Sequence, residues 1–299
     1  MYKILIIGYG SIGEKHHKLL KSNKEFIIRI LTNRKDKKIF TIEREQIAKF
    51  NPDYVIISSY TSIHGKDLKY VDRILKNKKI LVEKPLFNKY LKFKSSNNNK
   101  ILINYNLRLH PVINFIKNFI EGKKLIYSSI NCFSYLPSWR KNIKYQNSNS
   151  AKKNLGGGVV LELSHEIDIA NYLFGIKKIH SSFNKKVSNL KINTDDILSV
   201  NLICKKIPIC NLQLNFFDRL NSRKIRIVAN NFSIVGDLIN NYVIICKNKV
   251  STKKYFKTHS NFSYIKTHEN IIKNKLKNIS TLKEGLQLMK IISKIKKND

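Results

Sequence analysis

Glu162, His165 and Asp168 stand at intervals of three in an apolar segment that follows the consecutive glycines 156–158. Apolar residues fall on nearly all sides of the segment, which predicts a buried helix over 159–175 with these polar residues on one face. A histidine beside a carboxylate suits acid–base catalysis, because the carboxylate orients the imidazole and stabilises its charge. We therefore predict that the three residues are catalytic; the alternative is a structural histidine held by hydrogen bonds.

A glycine pattern near residue 10 predicts a site for the phosphates of a dinucleotide. Gly8, Gly10 and Gly13 form G-x-G-x-x-G between a short apolar run and an amphipathic segment. The first glycine permits a tight turn, the second lets a pyrophosphate approach the backbone, and the third lets helix and strand pack closely. The N–H groups at the start of the helix, where Ser11 and Ile12 stand, then face the phosphates.

Residues 32–35 bear on the choice of cofactor, because they follow the second predicted strand. A carboxylate there hydrogen-bonds the 2′-hydroxyl of NAD, whereas a basic residue accommodates the 2′-phosphate of NADP. Asn33, Arg34 and Lys35 precede the first carboxylate, Asp36. We predict NADP over NAD, with Asn33 and Arg34 near the ribose. NAD stays open, since Arg34 and Lys35 also fit an ordinary basic surface.

Alternating apolar and amphipathic segments predict the elements that position these residues. Five apolar runs are typical of buried strands: 2–7, 26–33, 53–60, 78–87 and 100–111. Their alternation with helical segments predicts an α/β fold with a Rossmann-type, doubly wound parallel sheet. Ligands bind at the carboxyl ends of such strands. The polar residues at those ends are Ser59, Thr61, His64, Glu83 and Lys84, which we assign to the cofactor, and Arg108 and His110, which we assign to the substrate.

Lys84 comes directly after a buried strand and directly before Pro85, which favours an extended backbone at the lysine. Most lysines in this chain fit solvated surface charges. The strand-end position predicts a catalytic role instead, in which the ammonium polarises the substrate oxygen.

After Pro111 the alternation of strands and helices stops. Partly alternating apolar runs then predict a large, mostly antiparallel sheet: about 124–136, 177–187, 195–204, 207–217, 222–229, 232–238 and 242–246. Two helical stretches, 263–278 and 281–296, follow. We predict a dinucleotide-binding domain over 1–110 and a substrate-binding α/β domain over 111–299. An exposed sheet face in the second domain favours a homodimer or homotetramer.

The polar loop 136–154 carries candidate substrate-binding residues. Trp139 and Tyr145 have rings that can stack on a sugar face, and Arg140 can pair with a carboxylate or phosphate. Long loops of this kind are often functional lids. The alternative is a flexible surface loop.

The composition argues against several other classes of protein. The formal charge is +37 over 299 residues, but the excess is mostly lysine spread along the chain beside abundant Asn and Ile. These residues share AT-rich codons, and arginine is scarce, so we expect no specific nucleic-acid partner. No apolar run reaches the length of a membrane span, so we expect no membrane partner. Four scattered cysteines without C-x-x-C fit a reducing cytoplasm and predict no metal site.

Five elements together resemble the Gfo/Idh/MocA family of oxidoreductases. They are the glycines 8–13 with His16, Thr61-x-x-His64, Glu83-Lys84-Pro85, Arg108-x-His110-Pro111, and the glycine-rich turn that leads to His165 and Asp168. The resemblance covers nearly the whole chain. It implies hydride transfer between NAD(P) and a sugar or polyol carbon, with Lys84 beside the nicotinamide and substrate hydroxyl. It also implies that His165 is the acid or base, with Asp168 nearby.

One position departs from the pattern of that family. Many members carry Asp four residues before the active-site histidine, where this chain has Leu161, and the nearest carboxylate is Glu162. Glu162 substitutes for it, or Lys84 and His165 act without it. The departure also leaves open a non-catalytic, cofactor-binding regulatory protein, and the family includes NAD-dependent glycoside cleavage. The segment 136–175 is similar to a subgroup associated with bacterial surface-glycan biosynthesis.

Overall fold

A computed structural model of the chain describes residues 1–34, 41–140 and 143–297. Its strands are β1 (Tyr2–Ile7), β2 (Phe26–Leu31), β3 (Tyr54–Ile57), β4 (Lys79–Val82), β5 (Lys100–Ile103), β6 (Leu125–Tyr135), β7 (Ile176–Lys185), β8 (Ile197–Cys204), β9 (Ile209–Asn215), β10 (Phe217–Ala229), β11 (Ser233–Asp237), β12 (Tyr242–Lys247), β13 (Val250–Tyr255) and β14 (Ser280–Thr281). Its α-helices are α1 (Ser11–Leu20), α2 (Ile47–Phe50), α3 (His64–Ile74), α4 (Pro111–Ile120), α5 (Val159–Glu162), α6 (Ser164–Phe174), α7 (Phe262–Ile272) and α8 (Leu282–Ile295). None of the helices in these residues is long and apolar enough to cross a bilayer.

Two units make up the chain. The first comprises Met1–Tyr105 with Tyr264–Met289, and the second comprises Asn106–Ser263 with Lys290–Asp299. The predicted division at residue 110 places every later residue in the second domain. The structure differs, because the segment 264–289 belongs to the first unit, where β14 pairs with β5.

The first unit is built on a sheet with the strand order β14-β5-β4-β3-β1-β2. Strands β1 to β5 are parallel, as the doubly wound prediction requires, and β14 adds an antiparallel edge. Every residue of β3 is buried, which explains its continuous apolar run: both faces of a parallel sheet are covered. The carboxyl ends of β1, β3, β4 and β5 therefore lie along one edge of the sheet.

The crossover from β4 to β5 breaks the predicted alternation. Residues 83–99 are all described and contain no helix. Leu86 and Phe87 are fully buried in this coil, so side chains of an irregular segment provide apolar cover here. Its polar end is anchored to the buried carboxylate of Asp72, which accepts hydrogen bonds from Ser95 and Asn99. A run of Ser and Asn favours such turns over a helix.

The second unit contains a sheet with the order β13-β12-β11-β10-β6-β9-β8-β7. All neighbours are antiparallel except β6 and β9, so the predicted mostly antiparallel sheet is confirmed. Alternate residues of β8 are buried, which is the period of two that predicted it. The sequence did not predict β13, because all of its residues are exposed and no apolar alternation marks it.

The predicted helix over 159–175 is wrong in one respect, since it is two helices. Leu163 (φ −98°, ψ 28°) separates α5 from α6. The first turn of α5 is held from outside the helix: the backbone N–H groups of Val159 and Val160 donate to the carbonyl and carboxylate of Asp195, at 3.0 and 2.9 Å. The break lies between Glu162 and His165, so their spacing of three does not place them on one helical face.

Candidate functional site

The glycine loop after β1 has room for a ligand at one of its three glycines. Gly8 (φ 89°) requires glycine, because a Cβ would lie 2.5 Å from the backbone nitrogen of Ser59. At Gly13 a Cβ would overlap the carbonyl oxygen of Gly8, so the close contact of helix and strand requires glycine too. At Gly10 the backbone is ordinary (φ −77°) and a Cβ would meet no described atom within 4 Å. Neither backbone nor packing therefore demands glycine at residue 10.

The start of α1 completes this cradle. Gly10 is its N-cap, and among the described residues no side chain caps its first turn. The first N–H groups of a helix lack intrahelical partners and carry the positive end of the helix dipole. The N–H groups of Ser11, Ile12 and Gly13 are in this position, which suits an anion such as a pyrophosphate.

Arg34 lies across the glycine loop. Its guanidinium donates to the carbonyl of Tyr9 and to the carboxylate of Glu14, both at 3.2 Å, and its side chain is 41% exposed. Asn33 is exposed beside it. Lys35, the other basic residue considered for the ribose, lies outside the described residues.

His64 joins the loops that follow β3 and β4. It is buried at the start of α3, and its ring nitrogens lie 3.0 Å from the carbonyl oxygen of Ser59 and 3.1 Å from that of Pro85. Burial lowers the pKa of His64, while the two carbonyl contacts oppose this effect. The Ser59 hydroxyl donates to the carboxylate of Asp67 at 2.7 Å. Thr61 lies in the 3-10 turn between these residues.

Glu83 and Lys84 directly follow β4, and their surroundings differ. Glu83 is buried, and its Oε1 accepts from His16 Nε2 at 2.8 Å and from the side-chain amide of Asn104. Burial alone would raise the pKa of Glu83, but the hydrogen bonds from His16 and Asn104 and the ammonium of Lys84 lower it below its usual value. Lys84 is half-buried and precedes a cis peptide bond to Pro85. The strand end thus holds a carboxylate next to an ammonium.

In the second unit, α6 carries two buried carboxylates that are paired with arginines. Asp168 accepts from Arg108 through both oxygens, at 2.9 and 2.7 Å, and each partner is only about 2% exposed. Glu166 accepts from Arg223 of β10 at 2.6 Å. Arg108 and Asp168 were predicted as substrate-binding and catalytic; the structure brings them together, and the contact fixes α6 to the 3-10 helix Asn106–Leu109.

Two polar residues of this segment are more accessible than these carboxylates. His165 and Glu162 are half-buried, unlike Glu166 and Asp168. The Glu162 carboxylate accepts a hydrogen bond from the hydroxyl of Ser150 at 2.8 Å. Accessibility to a substrate is a requirement for proton transfer, so His165 and Glu162 meet a condition that the two arginine-bound carboxylates do not.

The loop before the glycines contributes an open pocket to the second unit. It is lined by Pro137, Ser138, Arg140, Ile143, Lys144, Tyr145 and Gln146. Trp139 packs edge-on against Phe216, with ring centroids 5.1 Å apart, and stays 37% exposed. The Tyr145 hydroxyl accepts from the backbone N–H of Lys191 at 3.0 Å. Arg140 and Tyr145, two of the three substrate-binding residues predicted on this loop, therefore line one pocket.

His110 begins α4, and its ring acts as the N-cap by accepting from the backbone N–H of Val112 at 3.3 Å. Burial and, to a smaller degree, the charge of Arg223 lower the pKa of His110 to about 4, although a hydrogen bond with Asn241 opposes them. The unfolded chain, with a pKa near 6.5, therefore binds more protons between pH 6.5 and 4.

The unfolding free energy is expected to decrease as the pH is lowered from 6.5 to 4, because protonation of His110 favours the unfolded chain. Replacing His110 by Asn, which caps helices well, removes the titrating group. The loss of unfolding free energy between pH 7 and pH 4.5 should be about 2 to 3 kcal/mol smaller in His110→Asn than in the native chain. Urea unfolding at both pH values measures this difference, and equal losses in the two proteins would contradict the assignment.

Sequence reasoning missed several residues of these clusters, namely Asn104, Tyr54, His268, Glu166 and Arg223. His268 bonds His16 across 252 positions of sequence, and Arg223 reaches Glu166 across 57. No local pattern marks such partners. Among the residues of this hydrogen-bonded cluster around Glu83, His16 was the one that the sequence marked, because it follows Gly13 in the glycine pattern. Within the described residues, no group of three or more His, Cys, Asp or Glu side chains is arranged to hold a metal ion.

Comparison with known proteins finds no matching family model and no matching curated protein. Solved structures match over nearly the whole chain. A levoglucosan dehydrogenase in complex with NADH is 14% identical with a TM-score of 0.83, covering 99% of this chain and 96% of that one. The WlbA dehydrogenase from Bordetella pertussis, in complex with NADH and UDP-GlcNAcA, is 14% identical with a TM-score of 0.80, covering 99% and 95%. UDP-N-acetylglucosamine 3-dehydrogenase GnnA from Acidithiobacillus ferrooxidans is 13% identical with a TM-score of 0.79, covering 99% and 97%. These matches show a shared fold and confirm the predicted fold class.

Proposed function

We propose that this chain is a nicotinamide-dependent oxidoreductase of the Gfo/Idh/MocA family that acts on a sugar, a polyol or a sugar nucleotide. The observation that carries the proposal is the glycine loop. Neither the backbone conformation nor the packing requires glycine at Gly10, and its missing side chain leaves space beside a helix start that no side chain caps. The fold adds support, because it is shared with dehydrogenases named for levoglucosan and for UDP-N-acetylglucosamine.

In the proposed cofactor site, the N–H groups of 11–13 hold the pyrophosphate and the loops after β3 and β4 border the rest of the dinucleotide. Ser59, Thr61 and Glu83 are the proposed contacts on those loops, with His64 tying the loops together. Asn33 and Arg34 are the proposed contacts to the ribose. Arg34 supports NADP, although its guanidinium already contacts Glu14, so NAD is the alternative that the test must separate.

When bound, the nicotinamide supplies hydride acceptance or donation. The residues of the chain handle the proton and orient the substrate. We assign Lys84 to polarising the reacting oxygen of the substrate and His165 to taking or giving its proton, with Glu162 as the accessible carboxylate of the same segment. Asp168, bound to Arg108, acts by holding α6 in place. Trp139, Arg140 and Tyr145 are the proposed contacts to the remainder of the substrate.

The partner classes follow from the same proposal. The substrate is a small carbohydrate, and the sheet of the second unit is the proposed surface for a homodimer or homotetramer. A role in surface-glycan biosynthesis is supported by the similarity of 136–175 to that subgroup and by fold neighbours named for UDP-N-acetylglucosamine.

Thermal shift with NADH and NADPH, on the native chain and on Gly10→Val, tests the cofactor site. A ligand that binds only the folded state stabilises it by about 2.7 kcal/mol at a hundred times its Kd. Gly10→Val should lower the Tm of the unliganded protein only slightly, because space and backbone accept a side chain there although Val is a poorer N-cap than Gly, and it should abolish the shift caused by the cofactor.

The outcomes separate three conclusions. A larger shift with NADPH supports the role of Arg34, and equal shifts would remove the preference for NADP. An unchanged cofactor shift in Gly10→Val would show that the dinucleotide does not lie on this loop. No shift with either cofactor in the native chain would overturn the proposed function.

A further inference from the structure

Four buried side chains of the first unit form one continuous line of hydrogen bonds. The Tyr54 hydroxyl lies 3.1 Å from His268 Nδ1, His268 Nε2 lies 2.9 Å from His16 Nδ1, and His16 Nε2 lies 2.8 Å from Glu83 Oε1. The four residues come from β3, α7, α1 and the end of β4, and none is more than 5% exposed. Below, we call this line the Tyr54–Glu83 relay.

The chemistry of the groups gives the relay a direction. A neutral imidazole has one donor and one acceptor nitrogen, and a carboxylate only accepts. If Glu83 is ionised, His16 must donate from Nε2, so its Nδ1 accepts from His268 Nε2–H. His268 Nδ1 then accepts from the Tyr54 hydroxyl. Every polar atom in the line is satisfied, and the only charge lies on Glu83.

Two other proton arrangements fit the same distances. A protonated Glu83 would reverse every bond and place both imidazole protons on Nδ1. A His16 imidazolium would donate to Glu83 and to His268 Nε2, and would leave the His268 proton on Nδ1. Burial holds the pKa of His268 well below its usual value and holds that of Tyr54 well above its own. All three arrangements keep His268 and Tyr54 neutral, as these directions require, and the lowered pKa of Glu83 favours its ionised form. The two remaining arrangements differ in the charge of His16 and in the position of the His268 proton.

The charged groups around the relay also favour a negative charge on Glu83. The ammonium of Lys84 lowers the pKa of Glu83. Lys15 of α1 also feels the negative charge of Glu83, which opposes the lowering of its pKa by burial. At the other end, Tyr54 faces the Tyr2 hydroxyl group, whose pKa burial raises to about 12. The cationic groups thus lie at the Glu83 end, and the phenols and the carboxylate of Asp53 lie at the Tyr54 end.

The relay also bears on the geometry of Lys84. Glu83, which precedes Lys84, is held through its side chain by His16 and Asn104. The backbone N–H of Glu83 also donates to the carbonyl of Ile57 at 2.8 Å. Pro85, which follows Lys84, is held through its carbonyl oxygen, which contacts the ring of His64. Lys84 is thereby fixed on both sides, and the His16 contact is the one that the relay controls.

We propose that Tyr54, His268 and His16 are positioning residues that act through Glu83, holding it as an ionised, singly oriented carboxylate and so fixing the turn that carries Lys84. The kinetic part of this inference rests on the proposed function. The hydrogen-bond part does not, and it has its own measurement.

Nitrogen-15 NMR of the histidine-labelled, unliganded full chain at neutral pH tests the direction of the relay. His16 and His268, assigned by His16→Gln and His268→Gln, should both carry their proton on Nε2. A proton on Nδ1 of either ring, or an imidazolium at His16, would overturn the proposed direction. Tyr54→Phe should alter the His268 Nδ1 resonance and leave the His16 tautomer unchanged; an unaffected His268 would remove Tyr54 from the relay.

Two replacements of His16 test its effect on Lys84. His16→Gln keeps a side-chain N–H for Glu83, whereas His16→Leu removes it. We expect His16→Leu to lower kcat 10-fold or more with less than a 3-fold change in KM for the cofactor, and His16→Gln to restore most of the rate. Equal rates in the folded Leu variant and the native chain would overturn the positioning role. If the native chain transfers no hydride, the proposed function fails, and the NMR measurement alone decides the relay.

Discussion

Lys84→Ala is expected to lower kcat for hydride transfer about 10²- to 10⁴-fold, the range that one positioned acid–base group contributes. The residue stands at the carboxyl end of β4, beside the buried carboxylate of Glu83, and its backbone is held on both sides. Removing the ammonium removes the group that we propose polarises the substrate oxygen. Steady-state reduction of NAD(P) with a panel of sugars and sugar nucleotides gives kcat and KM.

The control for this loss is Lys89→Ala. Lys89 lies five residues further on, is exposed, and carries the same charge, so its replacement removes an equal charge from the same loop. It should retain the native rate. Thermal shift with the cofactor should be preserved in both variants, which separates a lost chemical step from a lost cofactor. A cofactor-bound Lys84→Ala protein with full turnover would remove Lys84 from the catalytic residues.

The fold could be predicted from sequence where burial leaves a periodic record. The continuous apolar run of β3 and the alternation of β8 correspond directly to burial on two faces and on one face. Where a segment is exposed or its burial is irregular, the apolar pattern does not predict its structure. β13 is exposed throughout and was missed, and Leu86 and Phe87 are buried in the coil 83–99 although no periodic pattern marks that segment.

The candidate site shows the same division between local and distant information. Gly8 and Gly13 stand at the fixed spacing of the glycine turn, so the local pattern predicts them, although the atoms that exclude a Cβ at Gly8 belong to the segment after β3. The partners of buried charges cannot be predicted in this way. Nothing in the spacing of Glu162, His165 and Asp168 shows that Asp168 is bound by Arg108, because a buried ion pair depends on how distant segments meet. Sequence therefore identifies groups that could do chemistry better than it separates them from groups that hold the structure.

Low identity to solved structures with the same fold has a physical basis in the core. The buried strands of the first unit are filled largely by Ile, as in Ile4, Ile6, Ile56 and Ile57. Cores accept exchange among apolar residues of similar volume, so a composition rich in Ile, Lys and Asn is compatible with an unchanged backbone. The lysines lie mainly on the surface, where substitutions cost little.

Asp168→Ala is expected to destabilise the second unit by about 3 to 5 kcal/mol, the cost of breaking a buried ion pair. The replacement would leave the Arg108 guanidinium, about 2% exposed, without the carboxylate that accepts two of its hydrogen bonds. The cation–π contact of Arg108 with Tyr172, 4.6 Å from the ring centroid, does not replace that charge. Urea unfolding followed by circular dichroism, on both variant and native chain, measures the difference in unfolding free energy.

A matched control and a double variant decide what this loss means. Glu269→Ala breaks an exposed ion pair, in which the side chain of Lys266 is 45% and that of Glu269 is 42% exposed. The replacement should lower the unfolding free energy by less than about 0.5 kcal/mol. Arg108→Met combined with Asp168→Leu removes both charges and should recover most of the stability, because the penalty in the single variant comes from an unpaired buried charge. If Asp168→Ala is as stable as Glu269→Ala, the pair does not hold α6, and the catalytic interpretation of Asp168 regains its place. If the double variant is stable yet inactive, Asp168 or Arg108 serves the reaction as well as the fold.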